Sequence, residues 1–281
     1  MRLRSLQSAL LLTLLLLSGC KTPTGEPHRS DPTVPVEATP VARTTTGEAT
    51  LLLMADIRGV LRPCGCVVEL QKGGFDRLKP FLDGARHEHP DARLLHAGPL
   101  FFEASVTPVE KLAQRERQSQ VTAELVSEVG IDVAGLTAVD VRAAKGEYAA
   151  LANTSKVAFT SANLALPGSE SVRVVRAGGL TVGIFALSAP SESGEGEGAL
   201  QVTDPKAAAT QAIAELSDKA DVIVLLSALG LRQTKRLVRA VDGVDFAIVG
   251  GLGEHPVVTD EAELVGSTRV MQFHREGRFV G

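Results

Sequence analysis

The chain has 281 residues, 44% hydrophobic and 22% charged, with 27 Gly and 14 Pro, a composition that excludes collagen, coiled coil and wholesale disorder. Its 29 basic groups against 33 acidic ones give a net charge of -4, so no basic field is available to hold a phosphate backbone. One Tyr, nine Phe and no Trp leave little stacking surface, which argues further against nucleic acid as a partner.

At the amino end, Arg2 and Arg4 precede an apolar run from Leu6 to Leu17, which is too short to cross about 30 Å of hydrocarbon as a helix. It reads as an export signal. The run closes on Leu17-Ser18-Gly19-Cys20, which resembles the lipobox of bacterial lipoproteins and implies cleavage of residues 1–19 and acylation of Cys20. Losing Arg2 and Arg4 leaves an acidic body, so attachment to a membrane falls to the acyl chains. Lys21 after the Cys, rather than Asp, favours the outer over the inner membrane of the cell envelope. Residues 20–48 are rich in Pro and Thr without apolar periodicity and read as an extended tether. Residues 49–281 read as the folded domain.

Thr50 to Ala55 and Asp221 to Ser227 are continuous apolar runs of strand length, suited to a sheet covered on both faces. Thr107-Pro108-Val109-Glu110 has the pattern of a capping box, with Val121, Leu125 and Val129 as the stripe of the helix behind it. Asp204-Pro205 opens a second helix, striped by Ala209, Ile213, Leu216 and Ala220. Val172 to Arg176 and Leu180 to Leu187 flank Ala177-Gly178-Gly179, a hairpin turn. The order predicts an α/β fold, and such sheets carry chemistry in the loops beyond their strand ends.

Those loops read Met54-Ala55-Asp56-Ile57-Arg58-Gly59, His96-Ala97-Gly98-Pro99, Leu136-Thr137-Ala138-Val139-Asp140, Ser227-Ala228-Leu229-Gly230 and Gly250-Gly251-Leu252-Gly253-Glu254-His255. From about Leu51 to Gly281 this succession resembles the calcineurin-like metallophosphoesterases, in particular the 5'-nucleotidase / UDP-sugar hydrolase branch. That branch has Asp-x-His-Gly, Ala-Gly-Asp, Gly-Asn-His-Glu, Ser-His-Leu-Gly and Gly-Gly-His-x-His at these places. Pro63-Cys64-Gly65-Cys66 with Gly73-Gly74 resembles a Pro-Cys-Gly-Cys subgroup, and Ser161-Ala162-Asn163-Leu164 and Gly277-Arg278-Phe279-Val280-Gly281 add support. The resemblance implies a four-layer αββα sandwich with a dinuclear metal centre. The resemblance covers the catalytic domain and implies that the family's C-terminal substrate domain is missing.

Two divalent ions about 3.5–4 Å apart need a bridging carboxylate, imidazoles and an amide oxygen. Carried over residue by residue, Asp56 keeps the first carboxylate, but the neighbouring His is Arg58, a guanidinium that cannot ligate. The bridging Asp is Pro99, the Asn-His pair is Ala138-Val139, the next His is Ala228, and the final His-x-His is Leu252-Gly253-Glu254 with His255 one place late. The resemblance therefore implies no intact metal site, no catalytic residue and no resident cofactor, with Asp56, Glu254, His255 and at most a shifted His96 left as metal-touching groups. The leading expectation is a lipid-anchored pseudoenzyme that acts by binding or assembly with an unidentified protein partner. One alternative is a hydrolase with a rearranged Mn or Zn site on Asp56, Glu254 and His255; a second is a thiol-redox or copper-binding protein.

That second alternative rests on Cys64 and Cys66, the mature thiols besides Cys20. In an oxidising compartment a Cys-x-Cys pair is a loop staple, a strained exchangeable disulfide or a soft-metal ligand. His87 and His89 near a helix end face different sides and read as solvated. The acidic, Gly-rich residues 191–198 lack calcium-loop spacing, and Gly250-Gly251 reads as a tight turn rather than a phosphate cradle.

Overall fold

The structure is a computed structural model, and it describes residues 47–63, 71–190, 200–251 and 261–273. The apolar run at residues 6–17, Cys20, most of the tether, Cys64 and Cys66, the acidic loop, Leu252 to His255 and the closing Gly277 to Gly281 lie outside them. No helix among the described residues is long and apolar enough to cross a membrane.

Two sheets form the centre. The first has four parallel strands in sequence order: β1 (Leu51–Ala55), β2 (Arg93–Ala97), β3 (Val133–Gly135) and β4 (Ala158–Thr160). The second runs β5 (Val172–Ala177), β6 (Leu180–Ser188), β7 (Val222–Ala228), β8 (Phe246–Val249), β10 (Thr268–Gln272) and β9 (Glu263–Val265). Its interior strands β6, β7, β8 and β10 are parallel, and antiparallel β5 and β9 sit at its two edges.

Side-chain alternation sorts the core into layers. On β1, Leu53 and Ala55 meet Ile184, Ala186, Val224 and Leu226 of the second sheet. Leu52 and Met54 face the other way, into a cluster shared with the helices α1 (Phe75–Glu88), α2 (Leu112–Val129), α3 (Ala138–Ala143) and α4 (Tyr148–Ser155). Ile223 and Leu225 of β7 likewise turn outward onto α5 (Pro205–Leu216) and α6 (Leu231–Val238). Helix, sheet, sheet, helix is the αββα order expected above.

The helix around residues 107–129 starts later than its capping-box pattern predicts. Thr107 makes no cap: Pro108 is extended (φ -54, ψ 143), Val109–Lys111 form one 3-10 turn, and α2 begins at Leu112. Val106, just before the expected cap, is 74% exposed, so the apolar contact that fixes the entry of a capped helix is missing. The buried stripe is Ser119, Thr122, Ala123, Val126 and Val129, with Val121 and Leu125 at its margin. Asp204 does cap α5, its Oδ1 accepting from the amide of Ala207 at 2.8 Å. That helix ends at Leu216, short of Ala220. Gly178-Gly179 closes the β5–β6 hairpin as expected, Ala177 pairing with Leu180.

Polar side chains inside this scaffold hold the loop ends. The Asp140 carboxylate accepts from the amides of Leu100 (2.8 Å), Phe101 (2.9 Å) and Phe102 (3.0 Å) and from the Thr137 hydroxyl (3.0 Å), tying the loop after β2 to the start of α3. Ser188 at the end of β6 gives its hydroxyl to the carbonyl of Leu136 and receives the amide of Ala138. Asn163, from the Ser161-Ala162-Asn163-Leu164 stretch, accepts from the Ser188 amide and donates to the carbonyls of Ser188 and Thr203.

Burial raises the Asp140 pKa from 3.8 to about 6, against the pull of those four hydrogen bonds. A folded pKa above the unfolded one favours folding below pH 3.8 and loses that contribution as pH rises through about 6. Chemical denaturation of wild type and Asp140→Asn between pH 4 and 7.5 should give a stability difference that changes by about 2 kcal/mol across this range. The wild type should lose relative to the variant as pH rises, and a pH-independent difference would contradict the assignment.

Candidate functional site

The carboxyl ends of β1, β2, β7 and β8 converge on Asp56. The backbone leaves β1 through two left-handed residues, Asp56 (φ 54) and Arg58 (φ 53), before Gly59 (φ 69). Asp tolerates that region, whereas for Arg it is a strained conformation that its surroundings must hold. Four consecutive amides supply the hold. Asp56, Arg58 and Gly59 donate to the carbonyls of Ala97 (3.0 Å), Pro99 (3.1 Å) and Leu100 (2.9 Å), prolonging the β1–β2 ladder into the loops. Ile57 donates to Nε2 of His96 at 3.3 Å.

Within that turn the Arg58 guanidinium folds back onto Asp56. Its Nη2 donates to Asp56 Oδ2 at 3.1 Å and to the carbonyl of Gly251 at 2.7 Å. The Gly251 amide in turn donates to Oδ1 (3.0 Å) and Oδ2 (3.2 Å) of Asp56. Arg58 is 3% exposed and Asp56 4%, so this is a dry ion pair that joins the end of β1 to the end of β8 across the two sheets. The approach is so close that a Cβ on Gly98, itself at φ +76, would lie 2.1 Å from Asp56 Oδ1. A Cβ on Gly251, at φ +118, would lie 2.9 Å from the carbonyl oxygen of Ala228.

Of the positions carried over from the family pattern, Asp56, Arg58, Pro99 and Ala228 come together around Gly98 and Gly251. Ala138 and Val139 are buried one loop away. The amide of Ala138 is engaged by Ser188, and Asp140 of the same turn grips the chain directly after Pro99. Leu252, Glu254 and His255, like Cys64 and Cys66, lie outside the described residues. His87 and His89 are exposed at the end of α1.

These residues do not fit a dinuclear centre. Both Asp56 oxygens already accept hydrogen bonds, and the cation beside them is a guanidinium that keeps its charge and has no lone pair to give. A divalent ion at Asp56 would have to drive Arg58 out of its dry position or share the space with a like charge. Pro99 offers no donor atom. His96 uses its Nε2 lone pair on Ile57, its Nδ1 is buried without a partner, and burial lowers its pKa to about 3, so it stays neutral. Among the described residues no group of three or more His, Cys, Asp or Glu side chains is placed to hold a metal.

Sequence reasoning missed Asp140 and His96 as organisers of this site. Thr137-x-x-Asp140 is itself a capping-box pattern, and Thr137 does accept from the Asp140 amide at 3.2 Å. That local signal was there to be read, but the reach of the carboxylate across to Leu100 was not. Tyr148 completes the neighbourhood: burial first, and the Asp140 charge second, hold its hydroxyl well above its ordinary pKa.

No protein-family model and no curated protein match the chain. Solved structures do match its fold. The sulfate thiohydrolase SoxB of Thermus thermophilus superposes with a TM-score of 0.69 at 18% identity, over 84% of this chain and 53% of that one. A 5'-nucleotidase precursor, also from Thermus thermophilus, gives 0.65 at 21% identity, over 83% and 50%. The calcineurin-like phosphoesterase YfkN of Bacillus subtilis gives 0.63 at 14% identity, over 84% of each chain. The chain thus spans about half the length of the first two. At these identities the likeness is one of fold: two sheets between helices, built as in the metallophosphoesterase-like structures.

Proposed function

We propose that this chain is a lipid-anchored protein of the bacterial envelope that has the 5'-nucleotidase-like phosphoesterase fold without phosphoester hydrolysis, and that it works by binding or assembly. The observation that carries the reading is the buried Arg58–Asp56–Gly251 arrangement, in which a side chain of the protein itself neutralises the carboxylate that would face a metal. With that charge met and Pro99 in place of a bridging acid, nothing among the described residues would generate a nucleophilic hydroxide. The tether and Cys20 support a body held at a membrane and free to meet a partner there.

Purified full-length protein incubated with Mn or Zn and desalted should retain clearly less than one ion per chain. It should turn over neither nucleotides nor p-nitrophenyl phosphate above a buffer control. Two retained ions with metal-dependent turnover would overturn the reading, and one ion with turnover would favour the rearranged hydrolase.

The ion pair also predicts a stability pattern. Arg58→Ala removes the guanidinium from a buried carboxylate and should cost about 3–5 kcal/mol. Adding Asp56→Ala should return part of that loss, a coupling of about 1 kcal/mol or more in a double-mutant cycle read by denaturant unfolding. Strict additivity would mean that the two side chains do not support each other.

For the anchor, labelled palmitate should enter the expressed protein and sediment with membranes. Cys20→Ala should abolish both; label retained in that variant would remove the lipobox from the account.

A further inference from the structure

A concavity lies at the β4 edge of the first sheet, the edge opposite β1 and therefore away from Asp56. It has a volume of about 450 Å³, in the range of small-molecule pockets. Its walls come from α4, from β4 and from the turn at residues 166–169, with Tyr148, Ala152, Val157, Phe159 and Leu166 supplying apolar surface.

The walls are fixed before any ligand arrives. The Tyr148 ring packs edge-on against Phe159 at 5.5 Å and Phe101 at 6.2 Å. The turn is locked by Ser169, whose hydroxyl accepts from the Leu166 amide (3.0 Å) and donates to the Leu166 carbonyl (2.8 Å). The Glu170 carbonyl then receives both the hydroxyl of Thr160 and the amide of Ser161, each at 2.9 Å. A preformed pocket spares a ligand the cost of ordering its site.

Among the described residues of this lining, Arg173 alone is charged. Its Nη2 pairs with the Glu170 carboxylate at 2.9 Å, the Glu170 side chain being 56% exposed. Its Nε is buried without a hydrogen-bond partner. Nη2 thus already holds a carboxylate that is easily given up to water, while Nε, its neighbour on the same fork, is buried and unsatisfied, and an unmet buried donor is costly. A planar fork of this kind matches a carboxylate. A single positive charge balances one negative charge and would leave a phosphate dianion partly uncompensated beside apolar walls.

We propose that this pocket binds a small organic carboxylate, its aromatic or branched body against Tyr148, Phe159 and Leu166 and its carboxylate on Arg173 in exchange for Glu170. The site is separate from the Asp56–Arg58 pair and stands whether or not that pair excludes a metal.

Titration calorimetry on full-length protein in non-ionic detergent, with 3-phenylpropionate, its amide and inorganic phosphate as probes, tests this. The carboxylate should bind with a dissociation constant on the order of 1 mM or tighter, and the amide roughly tenfold more weakly. Arg173→Met should bring the carboxylate down to the amide's affinity and leave the amide unchanged. Ala149→Trp, at an exposed helical position on the rim, should abolish binding of both with the melting temperature preserved. Equal affinity for acid and amide, binding unaffected by either substitution, phosphate binding in preference to phenylpropionate, or no binding of phenylpropionate would each overturn the proposal.

Discussion

The site depends on a pair of opposite charges sealed away from water. Desolvating an arginine and an aspartate costs several kcal/mol for each ion, and here the cost comes with both of those residues in the left-handed region. What offsets it is geometry. The Arg58 guanidinium meets a carboxylate and a backbone carbonyl at once, the Gly251 amide meets the same carboxylate, and two glycines clear the space in which these groups approach. Arg58 serves the Asp56 carboxylate and the Gly251 carbonyl at once, so removing it takes a hydrogen bond from both, and the arrangement is coupled.

The consequence reaches past one turn. Arg58 leaves the first sheet and Gly251 leaves the second, so the pair closes the seam between two sheets that face each other through apolar side chains. Asp140, Ser188 and Asn163 act similarly nearby, each spending its hydrogen-bonding capacity on backbone groups of another loop. Polar residues at strand ends in such a fold usually face a ligand; among the described ones here, many face the chain. The framework whose fold is like that of the phosphoesterases is held by these internal contacts, and Asp56 and Arg58 serve closure of the seam between the sheets.

Much of the framework was legible from local pattern. Apolar runs at β1 and β7, the Asp204 cap and the Gly178-Gly179 turn declare themselves within a few residues, because backbone propensity and burial act locally there. The beginning of α2 was misread because Val106 and Val109, the apolar residues around the expected cap, are exposed, so no apolar packing fixes the helix entry there. Arg58 was visible in the sequence as a side chain unable to ligate a metal, but its pairing was not. Gly251 lies 193 positions away along the chain, and no local periodicity encodes a contact of that span. Asp140 fell between the two cases: its cap could be read from Thr137, its grip on Leu100 to Phe102 only from the fold.

The claim that Arg58 occupies the electrostatic place of a metal is tested most directly by diffraction from crystals grown in excess Mn, with data collected at a wavelength where Mn scatters anomalously. The account predicts density for the guanidinium against Asp56 and no anomalous peak near the carboxylate. A peak at metal–oxygen distance from Asp56, with the Arg58 side chain swung away, would contradict it.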